Sequence, residues 1–190
     1  MQRIGQTVID TSLPGKFGKC EMPFPKTATL ALLLLSGLLV SARAAEAPLP
    51  DAIAAPGETI VLSVHAEGAQ VYECKAGTDR KPGWAFREPI ATLLLDGRTV
   101  GRHYAGPTWE HSDGSAVVGK AAASVPGATP NDIPWLKLEV ISRRGSGVLS
   151  GVTTVQRINT MGGNFEGPCD KAGATHSAPY SADYVFLRKG

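Results

Sequence analysis

After residue 58 the chain alternates apolar and polar side chains with a period of two almost throughout. That pattern belongs to half-buried β-strands, whose successive side chains point to opposite faces. In residues 58–65, Ile60, Leu62 and Val64 share one face; in residues 70–75, Gln70, Tyr72 and Cys74 do. A turn at Glu67-Gly68 predicts that the two segments form a hairpin. Lys81-Pro82-Gly83 reads as a turn into a segment that aligns Trp84 with Phe86. Residues 90–95 then run to Asp96-Gly97, a hairpin signal from which 99–104 return. A second Asp-Gly, Asp113-Gly114, joins 108–112 to 115–125, and residues 126–132 form a polar loop. Leu136, Leu138 and Val140 alternate with Lys137 and Glu139, residues 143–147 turn, 148–158 form a Val- and Thr-rich strand, and 184–187 supply the last one.

No segment after the N-terminal region carries the three-and-four apolar spacing of a helix. About ten short strands joined mainly by tight turns predict an all-β fold, a single antiparallel β-sandwich or barrel following a cleaved N-terminal signal helix. The pattern leaves both architectures open, the sandwich being the commoner. Gly 22 and Pro 14 agree with a turn-rich chain.

The first fifty residues break the alternation. Residues 27–40, TATLALLLLSGLLV, follow Lys16, Lys19 and Lys26 and precede Ala42-Arg43-Ala44. Basic region, apolar core and small-residue cleavage site in that order are a secretory signal, with cleavage expected after Ala44. The apolar block is shorter than the roughly 20 residues a membrane helix needs, so no retained membrane span is expected. Met22 would open a signal of conventional length, which makes residues 1–21 an expected start-site overcall. Residues 45–57, rich in Ala and Pro, read as an exposed arm, and 58–190 as a single β-domain.

Cleavage changes the charge. The chain carries Lys+Arg 19 and Asp+Glu 17, and the leader holds Arg3, Lys16, Lys19, Lys26 and Arg43 against Asp10 and Glu21. The mature chain is therefore slightly acidic, with no electrostatic footprint for nucleic acid. Cys20 leaves with the leader, and Cys74 with Cys169 remain as an even pair, which in an exported chain predicts one disulfide. The expected location is the periplasm or the extracellular medium.

Several phrases occur together in one order: Gly68-Ala-Gln-Val-Tyr-Glu-Cys74, Gly101-Arg-His-Tyr-Ala-Gly-Pro-Thr-Trp-Glu110, Asp113-Gly-Ser115 with Val118-Gly-Lys120, Ile133-Pro-Trp-Leu136, Gln156-Arg-Ile-Asn-Thr160 with Gly162-Gly163, and Tyr180-x-Ala-Asp-Tyr184. In these the chain resembles domain of unknown function 3455, a family of exported bacterial and fungal proteins. The resemblance covers essentially the whole mature chain, implies a single exported domain, and transfers no catalytic residue.

Candidate chemistry concentrates between His103 and Asp113. A two-residue turn at Gly106-Pro107 would place Tyr104 opposite Trp109 and His103 opposite Glu110. One face would then carry an aromatic pair with Arg102 and His111 beside it, and the other a His–carboxylate pair. Imidazole and carboxylate are metal ligands or a general-base pair, so His103, Glu110 and His111 are the candidate metal set, short of the three or four convergent ligands of a zinc site. A wider loop or a cis proline would break that register. Tyr104, Trp109, Glu110, His111 and Arg157 are the candidate ligand-binding residues, with Arg157 able either to bind an anion bidentately or to neutralise Glu110 or Glu139 across the sheet.

The chain has no G-x-S-x-G elbow, H-E-x-x-H or Walker loop, and Gly145-x-Gly147-x-x-x-Gly151 misses dinucleotide spacing, so no nucleotide cofactor is expected. Two functions remain open: non-catalytic binding of a small molecule, glycan or envelope partner, and a small metal-dependent or His–Glu enzyme centred on His103, Glu110 and His111.

Overall fold

A computed structural model describes residues 48–76 and 81–190. The expected leader, its cleavage site and the start at Met22 lie outside the described residues. A short 3-10 turn, Asp51–Ile53, precedes eight strands: β1 Glu58–Ala76, β2 Pro82–Leu95, β3 Arg98–Tyr104, β4 Thr108–His111, β5 Ala116–Val125, β6 Trp135–Arg144, β7 Thr154–Gly162 and β8 Thr175–Lys189. Each strand pairs antiparallel with the next, and β8 returns to pair with β1, so the sheet closes into a barrel. Closure, rather than the sandwich, leaves no strand edge unpaired.

The strands are fewer and longer than expected. Glu67-Gly68 is not a turn: β1 runs straight through it for 19 residues. Gly68 stands where a Cβ would collide with the Ile90 carbonyl oxygen and lie 2.6 Å from the Ala91 Cα, so the close approach of β2 requires glycine here. The Trp84–Phe86 and Ile90–Leu95 segments likewise merge into β2 through a bulge at Arg87, with Val71 facing Glu88 and Tyr72 facing Phe86. Residues 148–152, expected to begin a strand, turn instead, and Leu149 and Val152 are buried completely. The Asp96-Gly97 turn forms as expected, with φ of 50° and 73°, the two positive values of a tight hairpin turn.

Two apolar clusters divide the burial. Val64, Leu93, Val117, Val155 and Phe186 fill the barrel interior, with Leu149 and Val152 packed among them from the β6–β7 connection. Ile158, Val185 and Leu187 face the other way and are covered by Ile53. The arm before β1 is exposed over most of its described part, as expected, but is pinned to the wall at one point: Ile53 is fully buried, Gln156 donates from Nε2 to its carbonyl at 2.7 Å, and Lys137 donates to the Ala54 carbonyl at 3.0 Å. This explains why β8 is apolar on both faces over residues 184–187.

Cys74 and Cys169 form a disulfide with 5.9 Å between their Cα atoms. It ties the end of β1 to the connection between β7 and β8. Among the described residues no helix is long and apolar enough to cross a membrane.

Candidate functional site

An eight-stranded barrel has an interior that side chains just fill, or that holds one small ligand. Both regimes occur here, at opposite ends. The end carrying the β2–β3, β4–β5 and β6–β7 connections is packed by the interior cluster. Toward the other end, near the 105–107 and 126–134 loops, the side chains do not meet, and a cavity of about 470 Å³ remains. Its walls are mostly apolar, with Leu136, Leu138, Ile133, Pro89, Phe86 and Ala121 among them. Ala121 on β5 lines the cavity with an exposed small side chain, so a larger one there would narrow the opening.

Polar groups line this apolar chamber from six strands: Gln70 and Tyr72 from β1, Arg87 from β2, His103 from β3, Trp109 from β4, Arg157 from β7 and Tyr184 from β8. The His103 Nδ1 lies 2.8 Å from the Thr108 carbonyl, which can only accept, so Nδ1 carries the proton and Nε2 the lone pair. Burial pushes the His103 pKa down to about 3, against the pull of the Thr108 carbonyl and with a small contribution from Arg157. The ring is thus neutral across the physiological range. Burial raises the Tyr184 hydroxyl, with Arg157, Tyr180 and Trp109 opposing it, so it too stays protonated. Tyr72 donates to the Gly163 carbonyl at 2.7 Å and is raised mainly by burial.

Three features give the chamber its polarity. Arg157 donates through Nε and Nη2 to the Pro134 carbonyl, at 3.1 and 2.8 Å, which holds the guanidinium at the cavity wall. Among the described residues, Gln70 Nε2 and Trp109 Nε1 are buried donors that complete no well-formed hydrogen bond, with the Tyr180 and Tyr184 hydroxyls close enough to interact with them. A buried donor left unpaired costs about 1–3 kcal/mol, which a ligand acceptor would relieve. Among the described residues, the lining contains no Asp or Glu.

The expected site residues are not gathered in one place. The connection between β3 and β4 has three residues, 105–107, and its Gly106–Pro107 peptide is cis. Register is therefore shifted by one from the two-residue turn: His103 faces Trp109, Arg102 faces Glu110 and Tyr104 faces Thr108. Tyr104 and Trp109 end on opposite faces and make no platform, and the same is true of the His103–Glu110 pair. Glu110 lies on the outer wall, accepting from Tyr104 at 2.8 Å, Arg102 at 3.0 Å and Arg144 at 2.6 Å. The Tyr104 hydrogen bond, followed by those two cations, holds its carboxyl below the ordinary range.

His111 sits at the packed end, with Nδ1 3.1 Å from Asp113. His103, Glu110 and His111 thus cannot converge on one ion, and no group of three His, Cys, Asp or Glu among the described residues is placed to hold a metal. Arg157 meets neither Glu110 nor Glu139; it is turned to the cavity. Gln70, Tyr72, Ala121 and Tyr184 were absent from the sequence-based site. Their signal was a polar Gln70 in register with the inward-facing Val64 and Tyr72.

Fold and cavity together define an antiparallel β-barrel packed at one end and hollow at the other. The chain belongs to the family described as protein of unknown function (DUF3455), whose model matches residues 54–188. No curated protein and no solved structure matches it significantly.

Proposed function

We propose that this protein is an exported barrel that binds a small, largely apolar molecule in its interior and does no chemistry on it. The observation that carries the reading is the chamber of about 470 Å³, apolar on most sides and lined by two buried N–H donors that complete no well-formed hydrogen bond among the described residues. Few polar groups placed in an apolar concavity are the usual composition of a ligand pocket of this size. The Cys74–Cys169 disulfide supports the exported location, since such bonds persist in oxidising compartments. The enzyme alternative centred on His103, Glu110 and His111 has lost its geometry, because the barrel wall separates His103 from Glu110 and His111 lies toward the packed end.

The test is titration with N-phenylnaphthylamine, a neutral apolar dye that brightens on leaving water. Saturable binding to the native chain, weakened at least about tenfold by the narrowing substitution Ala121→Trp (~1.4 kcal/mol), is expected. Absence of saturable binding, or binding that Ala121→Trp does not weaken, would overturn the reading.

A further inference from the structure

The charge inside the barrel identifies more than a hydrophobic hole. A container for neutral apolar molecules would gain nothing from a guanidinium, and a container for cations would show a carboxylate. Among the described residues, the cavity lining has two arginines and no Asp or Glu. Arg87 is already engaged, its Nε 3.1 Å from Glu88. Arg157 is not: it donates to the Pro134 carbonyl and reaches the Tyr184 hydroxyl, and no carboxylate among the described residues forms an ion pair with it. A guanidinium has five N–H donors in a planar fork. The two bonds to Pro134 leave it donors to spend and fix its plane.

The other weakly satisfied groups of the lining have the same sense. Gln70 Nε2 and Trp109 Nε1 are donors, and the Gln70 and Trp109 residues are only 2% and 1% exposed, so bulk water does not satisfy them. Arg157 is the cross-strand partner of Tyr184, and the Tyr184 ring lies 5.3 Å from that of Trp109 and 5.1 Å from that of His103. The Tyr180 and Tyr184 hydroxyls are 3.4 Å apart, and both rings are buried. β7, β8 and β1 are contiguous in the wall, so Arg157, Tyr184 and Gln70 form one side of the chamber, with Trp109 entering from β4. Leu136, Leu138, Ile133 and Pro89 supply apolar surface beside this donor set.

We infer that the ligand is an apolar molecule bearing a carboxylate, and that its head group is received by Arg157 together with the Gln70 and Trp109 N–H donors. This rests on the binding-barrel reading. The planar fork of Arg157 matches a planar carboxylate, and charge-assisted hydrogen bonds are the strong ones in an apolar surround. In the complex these weakly satisfied donors gain a charged acceptor.

The experiment displaces N-phenylnaphthylamine from the full mature chain with decanoate, decanol and decylamine, three molecules with one tail and different heads. Decanoate is expected to displace the dye at concentrations at least tenfold lower than decanol, with decylamine weakest. Arg157→Met should abolish the preference for decanoate while dye binding persists. Gln70→Met and Trp109→Phe, the latter keeping an aromatic ring without the N–H, should each weaken decanoate several-fold and decanol little. Dye binding with equal displacement by decanoate and decanol would overturn the carboxylate inference and leave the container reading standing. So would a decanoate preference that survives Arg157→Met. No dye binding and no bound amphiphile in native mass spectra would overturn both. Should Arg157→Met fail to fold, the wild-type series and Trp109→Phe decide the question by the same criteria.

Discussion

His103 and Trp109 face each other across β3 and β4 and stack inside the barrel, 4.5 Å between ring centres and 7° from parallel. The contact puts an imidazole where charge is expensive, and that has a consequence in acid. The unfolded chain takes up a proton near the ordinary histidine value of 6.5, while the folded chain resists it down to about 3. A depressed folded pKa stabilises the fold above 6.5, and that stability is lost progressively as the pH falls from 6.5 toward 3. The wild type should therefore lose up to about 1.4 kcal/mol per pH unit in this window that His103→Gln does not lose. Urea unfolding at several pH values measures it; parallel curves for the two proteins would contradict the account.

Gly68 is one position at which the wall tolerates no side chain. Its missing Cβ makes room for the β2 backbone at Ile90 and Ala91. Gly68→Ala should cost about 1–3 kcal/mol or more through overpacking against backbone, which cannot move aside as a side chain can. Gly97, with open space around its Cβ position but φ of 73°, should cost about 1 kcal/mol as Gly97→Ala. Thermal denaturation of the two variants should rank them in that order.

The disulfide closes a sequence separation of 95 residues. Its removal in a Cys74→Ala, Cys169→Ala double variant should cost roughly 4 kcal/mol on the chain-entropy account. It should also weaken dye binding, because the β7–β8 connection it anchors supports the cavity. That connection carries Phe165, whose ring stacks on His176 at 3.7 Å and meets Tyr72 edge-on at 5.9 Å, and Gly163, which accepts from Tyr72. Denaturant melts together with dye titrations separate the two effects, and unchanged affinity would show that the connection holds its place without the bond.

Ile53 anchors the arm on the outer wall. Ile53→Ala should cost about 2 kcal/mol or more by emptying the site among Ile158, Val185 and Leu187. Limited proteolysis should then cut the arm before it cuts the barrel, whereas equal resistance in variant and wild type would count against the anchoring role.

Glu110 separates the two site readings. On the outer wall, its role is to gather Tyr104, Arg102 and Arg144. Glu110→Gln should leave dye and decanoate binding unchanged, a result that titration shows directly; altered affinity would bring the outer cluster back into the site.

The all-β class, the Asp-Gly hairpins and the pairing of Cys74 with Cys169 were legible in the sequence because each depends on local or compositional facts: side chains alternate along a strand, Asp-Gly tolerates positive φ, and, with Cys20 assigned to the expected leader, the other two of the three cysteines have only each other. The closed barrel was not legible, since closure depends on β8 meeting β1 across nearly the length of the domain. Glu67-Gly68 illustrates the ambiguity. Glycine serves both turns and close strand approaches, and only the neighbouring β2 backbone tells them apart. The site was misread by one residue of register. Arg157 and Trp109 were recognised as candidates from their chemistry, but the three-residue loop at 105–107 decided which side chains enter the barrel. A shift of one position exchanges the two faces of a strand. Residue types and their alternation thus belong to the sequence itself, whereas which face became the inside, and that the inside stayed hollow at one end, followed only from how the strands closed around it.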